Sequence, residues 1–157
     1  MNRLQSIIAY LCIHYPYPSE LSNSRLTKLV YLADWFSALA DDEQLTNINW
    51  LFNHYGPYVD DVKNAVLYSH NFSLHNDQNI FGSNKNVIMF HGDDEEIRLS
   101  DRDQRILDLV IDKTKGKYYN EFIDYVYSTY PVQSQNRYSN LDLIRLAREY
   151  KINSIRG

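Results

Sequence analysis

The sequence predicts a mostly α (α+β) fold, with about six helices around a central apolar helix and a small antiparallel β-sheet or hairpin. Three observations predict it. Apolar residues recur at helical spacing through most of the chain. Residues 45–55 instead alternate apolar and polar side chains, as a half-buried strand does. Residues 72–75 and 87–91 are short apolar runs separated by turn-forming stretches at 76–79 and 82–86, which predicts two paired strands.

Length and composition limit the classes of protein that the chain can represent. Its 157 residues suit one domain, so we expect residues 1–157 to form a single domain. Cys12 is the one cysteine, which excludes an intrachain disulfide. The apolar stretch 7–13 is too short to span a membrane and lacks a signal-peptide cleavage site, so we expect a cytoplasmic protein without a membrane partner. A net charge of -4 argues against a large nucleic-acid-binding surface.

The first two helices follow from apolar stripes with clear ends. Residues 2–15 carry apolar side chains at i, i+3, i+4 and i+7, and Pro16 ends the helix. A second helix is predicted to begin after Ser22 or Asn23 as N-cap and to run through Ala40. Because its apolar residues cover most of the circumference, we expect this helix to lie at the centre of the fold.

The alternating segment is expected to end at Gly56 and Pro57. Glycine adopts backbone angles that other residues resist, and proline suits the first position of a helix. A third helix is therefore predicted from Pro57 to about Ser69. Asp60 and Asp61 would lie in its first turn, where negative charge is favoured by the helix dipole.

The next helix has a recognisable N-terminal signal. Ser100 followed by Asp103 resembles a capping box, in which each side chain accepts a hydrogen bond from the backbone of the other residue. An apolar stripe follows, and Gly116 is expected to end the helix.

Two further helices are predicted in the C-terminal part of the chain. One covers residues 118–129 and is closed by Pro131. The last should open with a second capping box, formed by Ser139 and Asp142, and should end at about Lys151.

No catalytic or metal-binding signature is present in the sequence. The five histidines show no i, i+4 pair, and HExxH and CxxC motifs are absent, so we predict no metal and no cofactor. GxSxG, P-loop and dinucleotide motifs are absent as well, so we predict no catalytic residues and no enzyme activity. A basic stripe of Arg145, Arg148 and Lys151 is interrupted by Asp142 and Glu149, which favours a helix-dipole role over phosphate binding.

Two stretches together resemble a known family. Residues 28–34 read KLVYLAD, and residues 50–59 read WLFNHYGPYV. They are similar to the KLxYLAD and W-x4-YGP-x-V signature of the Panacea domain, the SocA-like antitoxin family. Residues 125–132 are similar to the end of the family's C-terminal helix, where many members instead carry a His and a Pro-Trp pair. The resemblance covers roughly residues 5–150.

The resemblance implies a mostly helical domain with a small sheet and a non-catalytic task. Such a protein would be an antitoxin that neutralises a toxin encoded by a neighbouring gene, in bacteria and prophages. SocA-like members also act as adaptors that deliver the toxin to a ClpXP-type protease. The residues leave two alternatives open: a hydrolase or nuclease using histidine and carboxylate groups, and a nucleic-acid-binding regulator of prophage origin that uses the Arg145 stripe.

The signature segments also supply candidates for partner contact. Tyrosine and tryptophan are frequent anchors in protein interfaces, and the chain has 14 tyrosines. The candidate partner-binding residues are Tyr31, Trp35, Trp50, Tyr55, Gly56, Pro57 and Tyr58.

Overall fold

The computed structural model describes residues 1–78 and 84–156. Within these ranges the chain forms seven α-helices and five short strands, which are all paired in antiparallel fashion. The predicted mostly α (α+β) class with a small antiparallel sheet is therefore confirmed. None of the helices in the described ranges is long and apolar enough to cross a membrane.

The chain divides into two compact units. The first combines residues 1–27 with 60–115, and the second combines 28–59 with the residues from 116 onward. The expectation that residues 1–157 form a single domain stays a prediction.

The first unit contains three helices: α1 (Arg3–His14), α3 (Asp61–Leu67) and α4 (Asp101–Thr114). The middle of the apolar stripe of α1 is buried, as its spacing predicts, while Leu4 and Cys12 at its ends are half-buried. The predicted capping box of α4 is confirmed, because the side chains of Ser100 and Asp103 accept reciprocal backbone hydrogen bonds. Asp103 also accepts two hydrogen bonds of 2.9 Å from the Arg3 guanidinium, which ties the start of α1 to the start of α4.

A hairpin of β3 (Phe72–Gln78) and β4 (Asn84–Phe90) completes the first unit. Phe72 lies opposite Phe90, and the pairing continues beyond the apolar runs because backbone hydrogen bonds do not require apolar side chains. The prediction of turns at 76–79 and 82–86 is wrong for residues 76–78 and 84–86, which belong to the strands, and its other residues lie outside the described residues.

The second unit contains most of α2 (Asn23–Asp41), together with α5 (Tyr119–Tyr127), α6 (Tyr130–Ser134) and α7 (Leu143–Arg156). A three-stranded sheet has the order β2 (Gly56–Pro57), β1 (Trp50–Asn53), β5 (Asn140–Leu141).

Helix α2 carries the apolar residues that the sequence places at the centre of the fold. From Leu26 to Trp35 every residue of α2 is buried. Its N-cap is Ser22, whose hydroxyl accepts a hydrogen bond from the backbone of Arg25 at 3.1 Å. Burial around the whole circumference, as expected for a helix that is apolar on most sides, is thus confirmed for this part of α2.

The third helix begins later than predicted. Gly56 and Pro57 form β2, paired antiparallel with Asn53 and Phe52, and α3 starts at Asp61. The alternation of residues 45–55 produces a strand only from Trp50 to Asn53, because the chain turns back at residues 54 and 55. A Gly-Pro pair suits a hairpin edge strand as well as a helix start, since an edge proline needs no ladder partner for its missing N–H.

Three helix ends also differ from the predictions. Pro131 does not close a long helix; it lies at the start of α6, where its missing N–H costs nothing. The last helix is capped by Asp142 alone, whose carboxylate accepts from the backbone of Arg145 at 3.2 Å, because Ser139 precedes β5. Helix α7 continues past Lys151 to Arg156.

Candidate partner-binding surface

A buried carboxylate on α2 holds the segment that leads into β1. Asp34 has no exposed surface and accepts a hydrogen bond of 2.9 Å from the indole Nε1 of Trp50. It also accepts from the backbone N and the hydroxyl of Thr46 and from the side-chain amide of Gln44. The four donors satisfy both carboxylate oxygens, as a charged group away from water requires.

The environment of Asp34 shifts its protonation. Burial raises the pKa of Asp34 from 3.8 to about 6, while the hydrogen bonds from Thr46 and Trp50 act in the opposite direction. Burial disfavours the charged form and donors favour it, so the raised value means that burial outweighs the donors. The carboxylate is mostly ionised at neutral pH, and in the native state it protonates as the pH falls through its pKa of about 6.

The indole ring of Trp50 packs on a second residue of α2. Tyr31 meets it edge to face, with ring centroids 5.5 Å apart and planes at 81°. The Tyr31 hydroxyl lies 2.8 Å from the hydroxyl of Thr129, which itself donates to the carbonyl of Val126 at 2.7 Å. Because the Thr129 proton is used there, Tyr31 is the donor of the bond between the two hydroxyls.

These contacts explain why the two signature stretches occur together. KLVYLAD supplies Tyr31 and Asp34 from α2, and WLFNHYGPYV supplies Trp50 from β1. Each stretch buries a polar group that bonds to the other: the Trp50 indole N–H donates to the Asp34 carboxylate, whose remaining donors are Thr46 and Gln44. The spacing along the sequence thus reflects a contact in the core.

The turn between β1 and β2 requires glycine. Gly56 has φ +101°, a backbone conformation that side chains with a Cβ rarely adopt. A Cβ at Gly56 would also lie 3.2 Å from Cε2 of Tyr127. The Tyr127 ring packs edge-on against Phe52 at 6.1 Å, so the aromatic ring closes one side of the hairpin.

Four residues around this turn form an exposed surface, which we call the tip surface: His54, Tyr55, Arg137 and Tyr138. Tyr55 is 75% exposed and Tyr138 is 63% exposed. His54 Nδ1 lies 3.0 Å from the Tyr138 hydroxyl, and the His54 ring meets the Tyr55 ring at 4.5 Å.

The backbone of residues 138 and 139 is fixed to β1, which keeps the tip surface in place. The N–H of Tyr138 donates to the carbonyl of Phe52, and the N–H of Phe52 donates to the carbonyl of Ser139 at 2.9 Å. Tyr138 itself has φ +71°, a strained conformation for a residue with a side chain. The Arg137 guanidinium lies over the Phe52 ring at 5.4 Å and donates to the Tyr127 hydroxyl at 3.3 Å.

The candidate residues predicted from sequence divide by exposure. Tyr31, Trp35 and Trp50 are buried, as are Gly56 and Pro57, and these residues pack the interior of the second unit. Trp35, for example, packs edge-on against Tyr150 at 6.1 Å.

The other two candidates, Tyr55 and Tyr58, differ from this buried group. Tyr58 is half-buried with the Lys28 ammonium 5.9 Å from its ring, whereas Tyr55 is open to solvent. Partner contact by any of the candidates stays a prediction, and Tyr55 is the one that the structure presents for it.

Sequence reasoning did not identify the other members of the tip surface. Arg137 and Tyr138 lie in a polar segment without a motif, and they meet His54 only because residues 138 and 139 bond to Phe52. The excess of tyrosine over other aromatics is the one sequence signal that could have suggested them.

The basic stripe on α7 is opposed by acidic neighbours. Arg145 pairs with Glu149 at 3.5 Å, while Arg148 and Lys151 pair with Asp42 at 3.7 and 3.1 Å. The hydrogen bond from Lys151 holds the pKa of Asp42 below its ordinary value. Lys151 also donates to the Leu39 carbonyl, so it lies at the C-terminal end of α2 and not, as predicted, at that of its own helix, which continues to Arg156.

These features define the class: a mostly α-helical domain in which a buried Asp-Trp hydrogen bond holds a short hairpin with an exposed aromatic tip. Residues 26–131 match the family model described as antitoxin SocA-like, Panacea domain. The chain therefore belongs to the SocA-like antitoxin family with the Panacea domain. Comparisons with curated proteins and with solved structures gave no match.

The glycine requirement at the turn can be tested by one methyl group. Gly56→Ala should lower the free energy of unfolding by about 1–3 kcal/mol, because the Cβ strains the backbone and presses on Tyr127. Gly116→Ala is the matched control, since a Cβ there meets no atom within 4 Å. Urea unfolding of both variants measures the difference, and equal effects at the two positions would contradict the requirement.

The raised pKa of Asp34 predicts a pH dependence of stability. The native state holds a proton on Asp34 that the unfolded chain has lost between about pH 4 and pH 6, so this group's contribution to stability falls as the pH rises through that window. Asp34→Asn removes this dependence. The destabilisation caused by Asp34→Asn should therefore shrink by about 2–3 kcal/mol from pH 4 to pH 7. Urea unfolding across this range checks it, and a destabilisation that grows with pH would be the opposite result.

Proposed function

We propose that this protein is the antitoxin of a toxin-antitoxin pair, and that in the cytoplasm it neutralises a cognate toxin by direct protein contact. Membership of the SocA-like antitoxin family supports the proposal. The toxin is expected to be encoded by a neighbouring gene. The net charge of -4 suits a basic partner, because complementary charge speeds encounter between proteins.

The observation that carries the contact site is the exposed aromatic pair at the hairpin tip. Tyr55 and Tyr138 offer large, partly polar rings to solvent while the segments that carry them are fixed to β1. Rings held in this way lose little conformational freedom on binding, which raises the share of contact energy that appears as affinity. Arg137 adds an arginine, which like tyrosine is enriched at interface hot spots.

The proposal also covers the fate of the bound toxin and the chemical nature of the partner. Delivery of the bound toxin to a ClpXP-type protease, which the resemblance implies, would act after binding and would need the same contact surface. Protein rather than nucleic acid is the proposed partner, because Asp42 and Glu149 offset the charges of the α7 stripe.

Loss of an exposed ring should weaken toxin binding without unfolding the protein. Tyr55→Ala and Tyr138→Ala should each cost about 2 kcal/mol of binding free energy, roughly thirtyfold in affinity, as anchors at interface centres do. The matched control is Tyr68→Ala, which removes a ring that is 87% exposed in the first unit, outside the tip surface. Affinity for the purified neighbour-encoded protein is measured by calorimetry after circular dichroism shows each variant folded.

Growth assays separate binding from the alternatives. Co-expression should rescue cells that the neighbouring gene product arrests, and the two tip variants should lose rescue while the Tyr68 variant keeps it. Repeating the assay without the ClpXP-type protease tests the adaptor arm, since an adaptor would lose rescue there although binding persists. If His70→Ala or Asp61→Asn abolished rescue in folded protein that still binds, the hydrolase alternative would replace this proposal.

A further inference from the structure

The β3–β4 hairpin brings together two histidines that are distant in sequence. His75 Nε2 lies 2.9 Å from the hydroxyl oxygen of Ser73, and His91 Nε2 lies 2.5 Å from the same oxygen. The two ring centroids are 6.3 Å apart. Two imidazole nitrogens thus converge on one point above the hairpin.

The strand register explains this convergence. Ser73 lies opposite Met89, and directly opposed residues of an antiparallel pair share one face of the sheet. His75 follows Ser73 by two positions on the same face. His91 follows Met89 by two, and its N–H extends the ladder by bonding to the carbonyl of Asn71 at 2.7 Å. Both histidines and Met89 are exposed, so the face is open to solutes.

We propose that this face binds a late first-row transition-metal ion, with Cu²⁺ bound most tightly. The Ser73 side chain would rotate away from between the rings, and the two Nε2 atoms, now 2.9 and 2.5 Å from its oxygen, would close on the ion to the roughly 2.0–2.1 Å that metal–imidazole bonds require. Imidazole suits Cu, Ni and Zn, and Cu²⁺ heads the affinity order for a given set of nitrogen ligands.

The site is a two-imidazole site and not a closed structural one. No group of three or more His, Cys, Asp or Glu side chains that could hold a metal occurs among residues 1–78 and 84–156, so water completes the coordination. The fold therefore does not need the ion. Sequence spacing predicts no metal here because His75 and His91 meet only through the pairing of the two strands.

Metal binding would change which imidazole nitrogens carry a proton. The Ser73 hydroxyl carries one proton, so it can donate to one Nε2 at most and accepts from the Nε2–H of at least one ring. A metal needs a lone pair on both Nε2 atoms. The ring that holds its proton on Nε2 must therefore move it to Nδ1, and Ser73 loses its acceptor role between the rings.

Titration of the full chain with CuSO₄, and separately with ZnCl₂, tests the site. We expect one specific site, tighter for Cu²⁺ than for Zn²⁺, with nitrogen hyperfine splitting from two imidazoles in the electron paramagnetic resonance spectrum of the Cu²⁺ form. His75→Ala and His91→Ala should each weaken binding by at least about tenfold, the lower end of what outer-shell partners alone contribute to metal sites.

The control is His70→Ala, which removes an exposed histidine of the same unit that lies outside the cluster. It should leave the affinity unchanged, and circular dichroism should show all three variants folded. Equal Cu²⁺ affinity in the wild type and in a His75→Ala/His91→Ala double variant would overturn the proposal. A loss of Cu²⁺ affinity in the His70→Ala variant equal to that in the other single variants would overturn it as well. Toxin neutralisation plays no part in either readout.

Discussion

The hydrogen bond from the Trp50 indole to the buried Asp34 carboxylate is the constraint on which the second unit depends. A buried ionisable group is tolerated only when its hydrogen bonds are made, and loss of a partner leaves a desolvated group that costs about 1–3 kcal/mol or more. Asp34 meets this condition with donors from Gln44, Thr46 and Trp50. The loop after α2 is consequently fixed by the helix that precedes it.

A series of contacts leads from this bond through the hairpin to the surface. Trp50 begins β1, β1 pairs with β2 and β5, and the Phe52 backbone fixes residues 138 and 139. Gly56 lets the chain reverse beneath the Tyr127 ring. The exposed Tyr55 and Tyr138 at the end of this series are held by backbone pairing and by contacts with His54, and such preorganised rings are suited to act as interface anchors.

The sequence predicted those features whose causes are local. Helices α1, α2 and α4 were predictable because apolar spacing and capping residues such as Ser100 and Asp103 act within a few positions. Gly56-Pro57 and Ser139 were assigned to the wrong elements, because the same residue types suit both a strand connection and a helix start, and strand pairing with distant residues decides between them. The candidate site was predictable only in part for the same reason. Aromatic residues could be named from the signature, but their burial, and the meeting of His54 with Tyr138, follow from tertiary contacts.

A double-mutant cycle on Asp34→Ala and Trp50→Phe tests most directly whether these two residues form one unit. Urea unfolding of the wild type, both single variants and the double variant gives the coupling free energy between them. We expect a coupling of about 1.5–3 kcal/mol, the range for a hydrogen bond to a charged group. Losses that add to within about 0.5 kcal/mol would show that the two residues act independently, and would contradict the role of this bond in holding the hairpin.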